Sequence, residues 1–323
     1  MVYVVGIDGG GTKTDVVVAD VKGNVYMCTT YGTTNPNTIS KQELEETIAS
    51  IFRDLRRKIT VTEVHAVFAG ISGAGSPETK QYLEGLLLKY VGDTTEVRVE
   101  IDALNALYSG TIGKPGIVQI CGTGSITYGI TSQGKQDRVG GWGYLVGDEG
   151  SGYDIGRRGI SAALKRLDGR GKDTILVELL FDRFGVHNAR SLIDKIYQAN
   201  NPKVKIAPVS ELVLRAFEKG DEVSSEIVRA VVSDVGDSIR VLYRKLFHDD
   251  EVAPVPVVLC GGVFQAKRVI PVLLREELQD LGSSIAIMLP ELPPVAGSVF
   301  AAYNMIGLTP DEGLIEALKV RLK

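Results

Sequence analysis

This 323-residue chain has little of what metal, redox or Ser-His chemistry needs: three cysteines, three histidines and one tryptophan. Cys28, Cys121 and Cys260 are odd in number, far apart and without C-x-x-C spacing, which argues against a disulfide framework or a cysteine-rich metal site. His65, His187 and His248 have no partner four residues away and no nearby cysteine, so zinc sites and Ser-His-Asp triads lack support. Charge of one sign is also scarce, with 36 basic against 40 acidic residues, whereas a nucleic-acid surface requires a basic footprint. No apolar run approaches the roughly 20 residues of a membrane span. The first residues enter a β-rich run without a charged leader or cleavage site, so a cytoplasmic protein is expected. What remains is a chain with 44% hydrophobic residues, long enough for about two domains.

Its most informative feature is a repeat. Residues 2–21 read VYVVGIDGGGTKTDVVVADV, and a degraded copy, GIVQICGTGSITYGITSQGK, occupies residues 116–135. Each copy is strand, tight turn, strand, and each turn holds glycines and hydroxyls that let backbone N–H groups approach an anion. Two such turns imply two phosphate-gripping loops facing each other. Better-known phosphate motifs do not fit: Lys13 falls one place late for a Walker A loop, and Thr14 occupies the position of the last glycine of a dinucleotide fingerprint. An ordinary glycine-rich hairpin is the bland alternative; Asp8, Thr12, Thr14 and the second copy favour phosphate binding.

Periodicity and punctuation predict strands near 25–31, 64–70, 96–101, 136–139, 255–260 and 285–288 besides the two hairpins. Helices are expected over 41–58, from Pro77, from Asp102, from Ser151, Thr174, Ala189, Pro208 and Asp221, and over 265–280 and 295–305. Ser40 with Glu43 forms a capping box, and Ser76 before Pro77 reads as an N-cap. The sequence GKPG at 113–116 is the best boundary, giving domains 1–113 and 114–323, with the last helix free to pack back on the first domain. The alternation predicts α/β layers opened by β-meanders.

The motifs resemble the N-acetylglucosamine kinase family, grouped with the BadF/BadG/BcrA/BcrD-type ATPases of the actin, hexokinase and heat-shock chaperone superfamily. Matching segments are GIDGGGTKT at 6–14, GTTN at 32–35, AGISGAG at 69–75, Asp102, GTGS at 122–125, GGWGYLVGDEGSG at 140–152 and CGGVF at 260–264. The resemblance implies two duplicated ribonuclease H-like domains flanking a nucleotide and sugar cleft, ATP and Mg²⁺ as cofactors, and a homodimer.

It also implies roles for particular residues. Gly10, Gly11, Thr12, Lys13, Thr14, Gly122, Thr123 and Gly124 would grip phosphates; Gly261, Gly262 and Gly297 would lie against adenosine; and Asp8 would face the metal. Asn35, Ser72, Asp102, Gly141, Trp142, Asp148 and, as an open case, Glu149 would hold the sugar, with Asp102 as general base. From local sequence alone Asp8 is equally a turn-capping acid, Asp102 an N-cap, Asn35 part of an Asn-Pro turn, and the glycine pair after residue 260 a strand-to-helix joint.

Two classes of activity follow from the resemblance. One is an ATP-dependent kinase for the 6-hydroxyl of an N-acetylated amino sugar, above all N-acetylglucosamine, with N-acetylmuramic acid, glucosamine or glucose as alternatives. The other is a regulatory ATPase of the dehydratase-activator type, which holds an iron–sulfur cluster through paired cysteines that this chain lacks. The cysteine-dense zinc motif of ROK sugar kinases is missing too, which places the chain outside that group.

Overall fold

The computed structural model describes residues 1–247, 253–265 and 269–322. The chain divides into two compact units, one formed by Met1–Gly116 with Met288–Lys323 and the other by Ile117–Ile287.

Unit 1 opens with the hairpin β1 (Tyr3–Gly9) and β2 (Lys13–Asp20), followed by β3 (Val25–Gly32), α1 (Lys41–Leu55), β4 (Val64–Ile71), α2 (Pro77–Leu88), β5 (Glu96–Glu100) and α3 (Asp102–Thr111). Strand order is β3-β2-β1-β4-β5. The β1/β2 and β2/β3 pairs are antiparallel, and β1/β4 and β4/β5 are parallel, as the intervening helices require. Alternation along the central strands fills both faces of the sheet. Val5, Ile7, Val16 and Val18 join Ile48, Phe52 and Leu55 of α1 and Leu83 and Leu87 of α2 in one core. The expected capping box is present, with Glu43 N–H donating to Ser40 Oγ and Ser40 N–H to Glu43.

Unit 2 repeats the pattern. Strands β6 (Gly116–Cys121), β7 (Ser125–Ile130) and β8 (Gln136–Gly140) precede α4 (Gly152–Leu167), α5 (Leu176–Phe184), α6 (Ala189–Tyr197), α7 (Pro202–Ile206), α8 (Val209–Glu218) and α9 (Glu222–Leu246). Then come β9 (Val255–Cys260), α10 (Gly262–Gln265), α11 (Val269–Glu277) and β10 (Ile285–Met288). The sheet order is β8-β7-β6-β9-β10, the same hairpin-plus-two arrangement as unit 1. The two sheets are therefore topological copies, and the fold is a duplicated α/β architecture.

The chain then returns to unit 1 as α12 (Pro294–Met305) and α13 (Glu312–Leu322). The expected second domain of 114–323 is thus corrected: residues 288–323, and not the last helix alone, belong with the first unit. The cause is packing. Helix α12 covers the face of the sheet opposite α1, so close that a Cβ on Gly6 would lie 2.6 Å from Ser298 Oγ. Tyr303 donates its hydroxyl to Asp20 O at 2.6 Å, and Asn304 Nδ2 donates to Gly113 O at 2.9 Å. The helix expected over 265–280 is also revised. Residues 269–277 form α11 and a 3₁₀ turn, Gln279–Ser284, follows it, while residues 266–268 lie outside the described residues.

Candidate functional site

In unit 1 the end of the first hairpin, the ends of β4 and β5 and the start of α3 bring several expected residues together. Gly10 N–H donates to Lys13 O at 2.9 Å, closing a tight turn whose tip, Gly11 and Thr12, is exposed. Thr14, expected in the same phosphate role, points elsewhere: it is fully buried, 3.0 Å from Thr34 Oγ1. The reason is the strand period, which turns residue 14 into the sheet packing. Lys13 is exposed and paired with Asp15 at 2.7 Å. The loop after β4 is tied to the turn, because Ser72 N–H donates to Gly9 O at 2.7 Å.

Asp102 is the first residue of α3, preceded by Ile101 as the N-cap, so the N-cap alternative for Asp102 does not hold. Burial raises its carboxyl above the usual range, while hydrogen bonds from the Ala103 N–H, the Ser72 hydroxyl and its own N–H draw it back. Ser72 in turn accepts from Asn35 Nδ2 at 3.4 Å. Asn35 is buried, its Oδ1 accepting the Asn37 N–H at 2.9 Å. The turn reading of Asn35 therefore holds, and the same carboxamide also reaches Ser72. Asn35, Ser72 and Asp102 form a hydrogen-bonded chain that ends in a carboxylate at a helix start.

Asp8, at the end of β1, has its pKa pushed up to about 6 by burial and by the nearby Asp102 and Asp15 carboxylates, against a hydrogen bond from Asn105. It forms no ion pair among the described residues. A half-buried carboxyl near a second carboxylate, in no ion pair among the described residues, suits a hard divalent ion that takes few protein oxygens and leaves the rest to phosphate and water. Asn105 Nδ2 lies 2.7 Å from Asp8 Oδ1 and also donates to Ile7 O and Gly70 O at 3.2 and 3.1 Å. Sequence reasoning did not single out Asn105. Its signal was an amide inside the apolar run 103–107, three residues after Asp102. Gly297, expected near adenosine, is buried where α12 crosses α3, and a Cβ there would run into Asn105 O. That position is explained by helix packing.

Unit 2 holds the second turn. Gly122 N–H donates to Gly124 O at 2.9 Å, and Gly122 O accepts from Gly152 N–H at 2.8 Å, anchoring the turn to the start of α4. Gly261, at φ 106°, stands where a Cβ would strike Cys121 O. Gly262 is exposed and, with Gly122, Thr123, Gly152, Val204 and Pro208, lines a cavity of about 350 Å³. Asp148 is buried in the left-handed region at φ 61°, and Lys203 Nζ lies 3.6 Å from its Oδ2. Glu149 is exposed. Gly141 lies in the left-handed region, and Trp142 is 68% exposed with the Arg138 guanidinium 4.1 Å from its ring centroid. Arg138 Nη1 also donates to Gly140 O and Gly141 O, each at 3.0 Å, which fixes the loop.

Among the described residues no three His, Cys, Asp or Glu side chains are placed to hold a metal on their own. Cys28 is exposed, Cys121 and Cys260 are buried, and burial pushes the Cys121 thiol up to about 11. His65 and His187 are exposed, and His248 lies outside the described residues. No helix among the described residues is long and apolar enough to cross a membrane.

The chain is 35% identical over 267 residues to an N-acetylmuramic acid/N-acetylglucosamine kinase of Clostridium acetobutylicum, covering 81% of this chain and 86% of that protein. It is 31% identical over 315 residues to an N-acetyl-D-glucosamine kinase of Dictyostelium discoideum, covering 93% and 97%. In fold it is similar to a ROK family glucokinase of Streptomyces griseus solved with glucose and AMPPNP, with a TM-score of 0.56, 18% identity and coverage of 93% and 98%. Residues 5–302 match the model of the BadF/BadG/BcrA/BcrD ATPase family, and the chain belongs to that family.

Proposed function

We propose that this protein is an ATP-dependent kinase that phosphorylates the 6-hydroxyl of an N-acetylated amino sugar, N-acetylglucosamine above all. The observation that carries the reading is the hydrogen-bonded chain Asn35–Ser72–Asp102, which sets a half-buried carboxylate among amide and hydroxyl groups suited to sugar hydroxyls. The two relatives at 31% and 35% identity, both kinases of such sugars by name, support it.

In this mechanism the sugar 6-oxygen attacks the γ-phosphorus, the bond from that phosphorus to the β–γ bridging oxygen breaks, and ADP departs. Asp102 takes the hydroxyl proton. The Ala103 and Asp102 N–H groups and the Ser72 hydroxyl hold its carboxylate towards the acceptor. In unit 1 the Gly11 and Thr12 N–H groups would meet phosphate oxygens; in unit 2 the Thr123 and Gly124 N–H groups would do the same, beside a cavity lined by Gly122 and Gly262 that would take adenosine. Asp8 would hold Mg²⁺, directly or through water, and the bound ion would neutralise charge on the transferring phosphoryl group. Trp142 and Gly141 would border the N-acetyl group, and Asp148 would accept from a sugar hydroxyl.

A panel of amino sugars and hexoses, each incubated with Mg²⁺ and ATP and analysed for sugar phosphate, tests this reading. ATP consumed without transfer to any amino sugar overturns it.

A further inference from the structure

We infer that Asn105 is a positioning residue of the phosphoryl-transfer site, holding the Asp8 carboxylate in register with Asp102. The inference rests on the kinase reading of Asp8 as the metal-side carboxylate.

Three observations carry it. Asn105 is completely buried in the middle of α3, and its Nδ2 lies 2.7 Å from Asp8 Oδ1 while reaching backbone carbonyls of both β1 and β4. Its own Oδ1 is buried and has no hydrogen-bond partner among the described residues. An amide with an orphaned acceptor is a poor choice for stability in a helix packed against apolar strands, where an aliphatic side chain leaves nothing unpaired. The donor side must therefore supply what an aliphatic group cannot, and its one side-chain acceptor is Asp8.

The surroundings are cut to fit this amide. A Cβ on Gly70 would collide with the Asn105 carboxamide, so a glycine on β4 makes the space. Asn105 lies three residues after Asp102, close to one helical turn, so both occupy one side of α3. One rigid helix thus carries the proton acceptor at its first residue and the hydrogen bond to the metal-side carboxylate at its fourth. The separation of the two groups is then set by helix geometry and not by loop conformation.

The test compares wild type, Asn105→Ala and Asn105→Val with N-acetylglucosamine as acceptor. Measured are the Mg²⁺ concentration for half-maximal rate at fixed ATP, the sugar KM, and the melting temperature. Loss of a hydrogen bond that orients a metal-side carboxylate typically costs about 10- to 100-fold in metal affinity. Both variants should therefore need about tenfold more Mg²⁺, with the sugar KM within about twofold of wild type. A merely structural role gives a different result: Asn105→Ala would be impaired in every constant alike, and Asn105→Val, which refills the space, would restore them together. That result, or an unchanged Mg²⁺ requirement in both variants alongside active wild type, overturns the inference. A wild type that transfers phosphate to no amino sugar instead removes the kinase reading beneath it.

Discussion

Gly124 stands so close to Asp148 that a Cβ added to the glycine would lie 2.9 Å from Asp148 Oδ2. The second glycine turn and the loop expected to hold sugar are thus packed atom against atom within unit 2. Asp148 has little freedom to retreat, being buried, in a left-handed backbone conformation and 3.6 Å from Lys203 Nζ. Gly122 on the same turn faces open space. Gly124→Ala should lose about 1–3 kcal/mol of stability by overpacking, and Gly122→Ala much less. Denaturant midpoints of the two variants check this; equal losses would show that the Asp148 contact does not limit the turn.

Asp102→Asn should fold normally, because the N-cap of α3 is Ile101 and the asparagine side chain can still accept the Ala103 N–H and the Ser72 hydroxyl. Turnover should fall by roughly two to four orders of magnitude, the usual worth of a general base, with ATP binding retained. Turnover within a few-fold of wild type removes Asp102 from proton transfer.

Asn35→Ala and Ser72→Ala should both raise the sugar KM more than the ATP KM, since each breaks the hydrogen-bonded chain leading to Asp102. They separate in stability. Asn35→Ala also removes the acceptor for the Asn37 N–H, so it should cost about 1 kcal/mol that Ser72→Ala does not. Kinetics with each substrate varied in turn, alongside thermal melts, distinguish the two.

The strand and helix pattern was legible in the sequence because burial alternates cleanly and the caps are local: Ser40 with Glu43, and Ser76 before Pro77, behave as side-chain spacing dictates. Asp102 was legible for a similar reason, as an acid where a strand gives way to a helix. The return of residues 288–323 to unit 1 was not, because an alternating pattern does not say which sheet a late helix covers, and the Gly6–Ser298 packing joins residues nearly 300 positions apart. Gly297 misled for the same cause. A glycine that admits a ligand and a glycine that admits another helix look alike until the crossing is seen. Asn105 was hidden by its neighbours, since one amide in an apolar run reads as a solvent-facing position when its partner, Asp8, is 97 residues away.

Asp8 should make activity and stability respond to pH in opposite directions. Its folded pKa of about 6 lies above the ordinary 3.8, so folding favours the protonated form. The resulting stabilisation is fully present below pH 3.8 and is lost as pH rises through about 6. Without metal, Asp8→Asn should therefore gain on wild type above pH 6, by at most about 3 kcal/mol. Metal binding needs the ionised form, so the Mg²⁺ requirement of wild type should rise as pH falls below about 6. Melting curves across pH and Mg²⁺ titrations at pH 5.5 and 7.5 check both arms. A flat Mg²⁺ requirement would show that Asp8 does not face the ion.

Trp142 is the only tryptophan, so intrinsic indole fluorescence reports on one loop. The ring is 68% exposed and stacked on the Arg138 guanidinium, which is itself committed to the Gly140 and Gly141 carbonyls. A sugar whose N-acetyl group packs on this loop would exclude water from the indole without having to build the loop first. Adding N-acetylglucosamine should shift emission to shorter wavelength with saturation near the sugar KM, while glucose should leave it unchanged. Replacing Arg138 with alanine frees the loop, so it should weaken the sugar response more than it changes the ATP KM. A spectrum insensitive to every phosphorylated sugar would place Trp142 away from the acceptor and leave Asn35, Ser72 and Asp102 to account for sugar recognition.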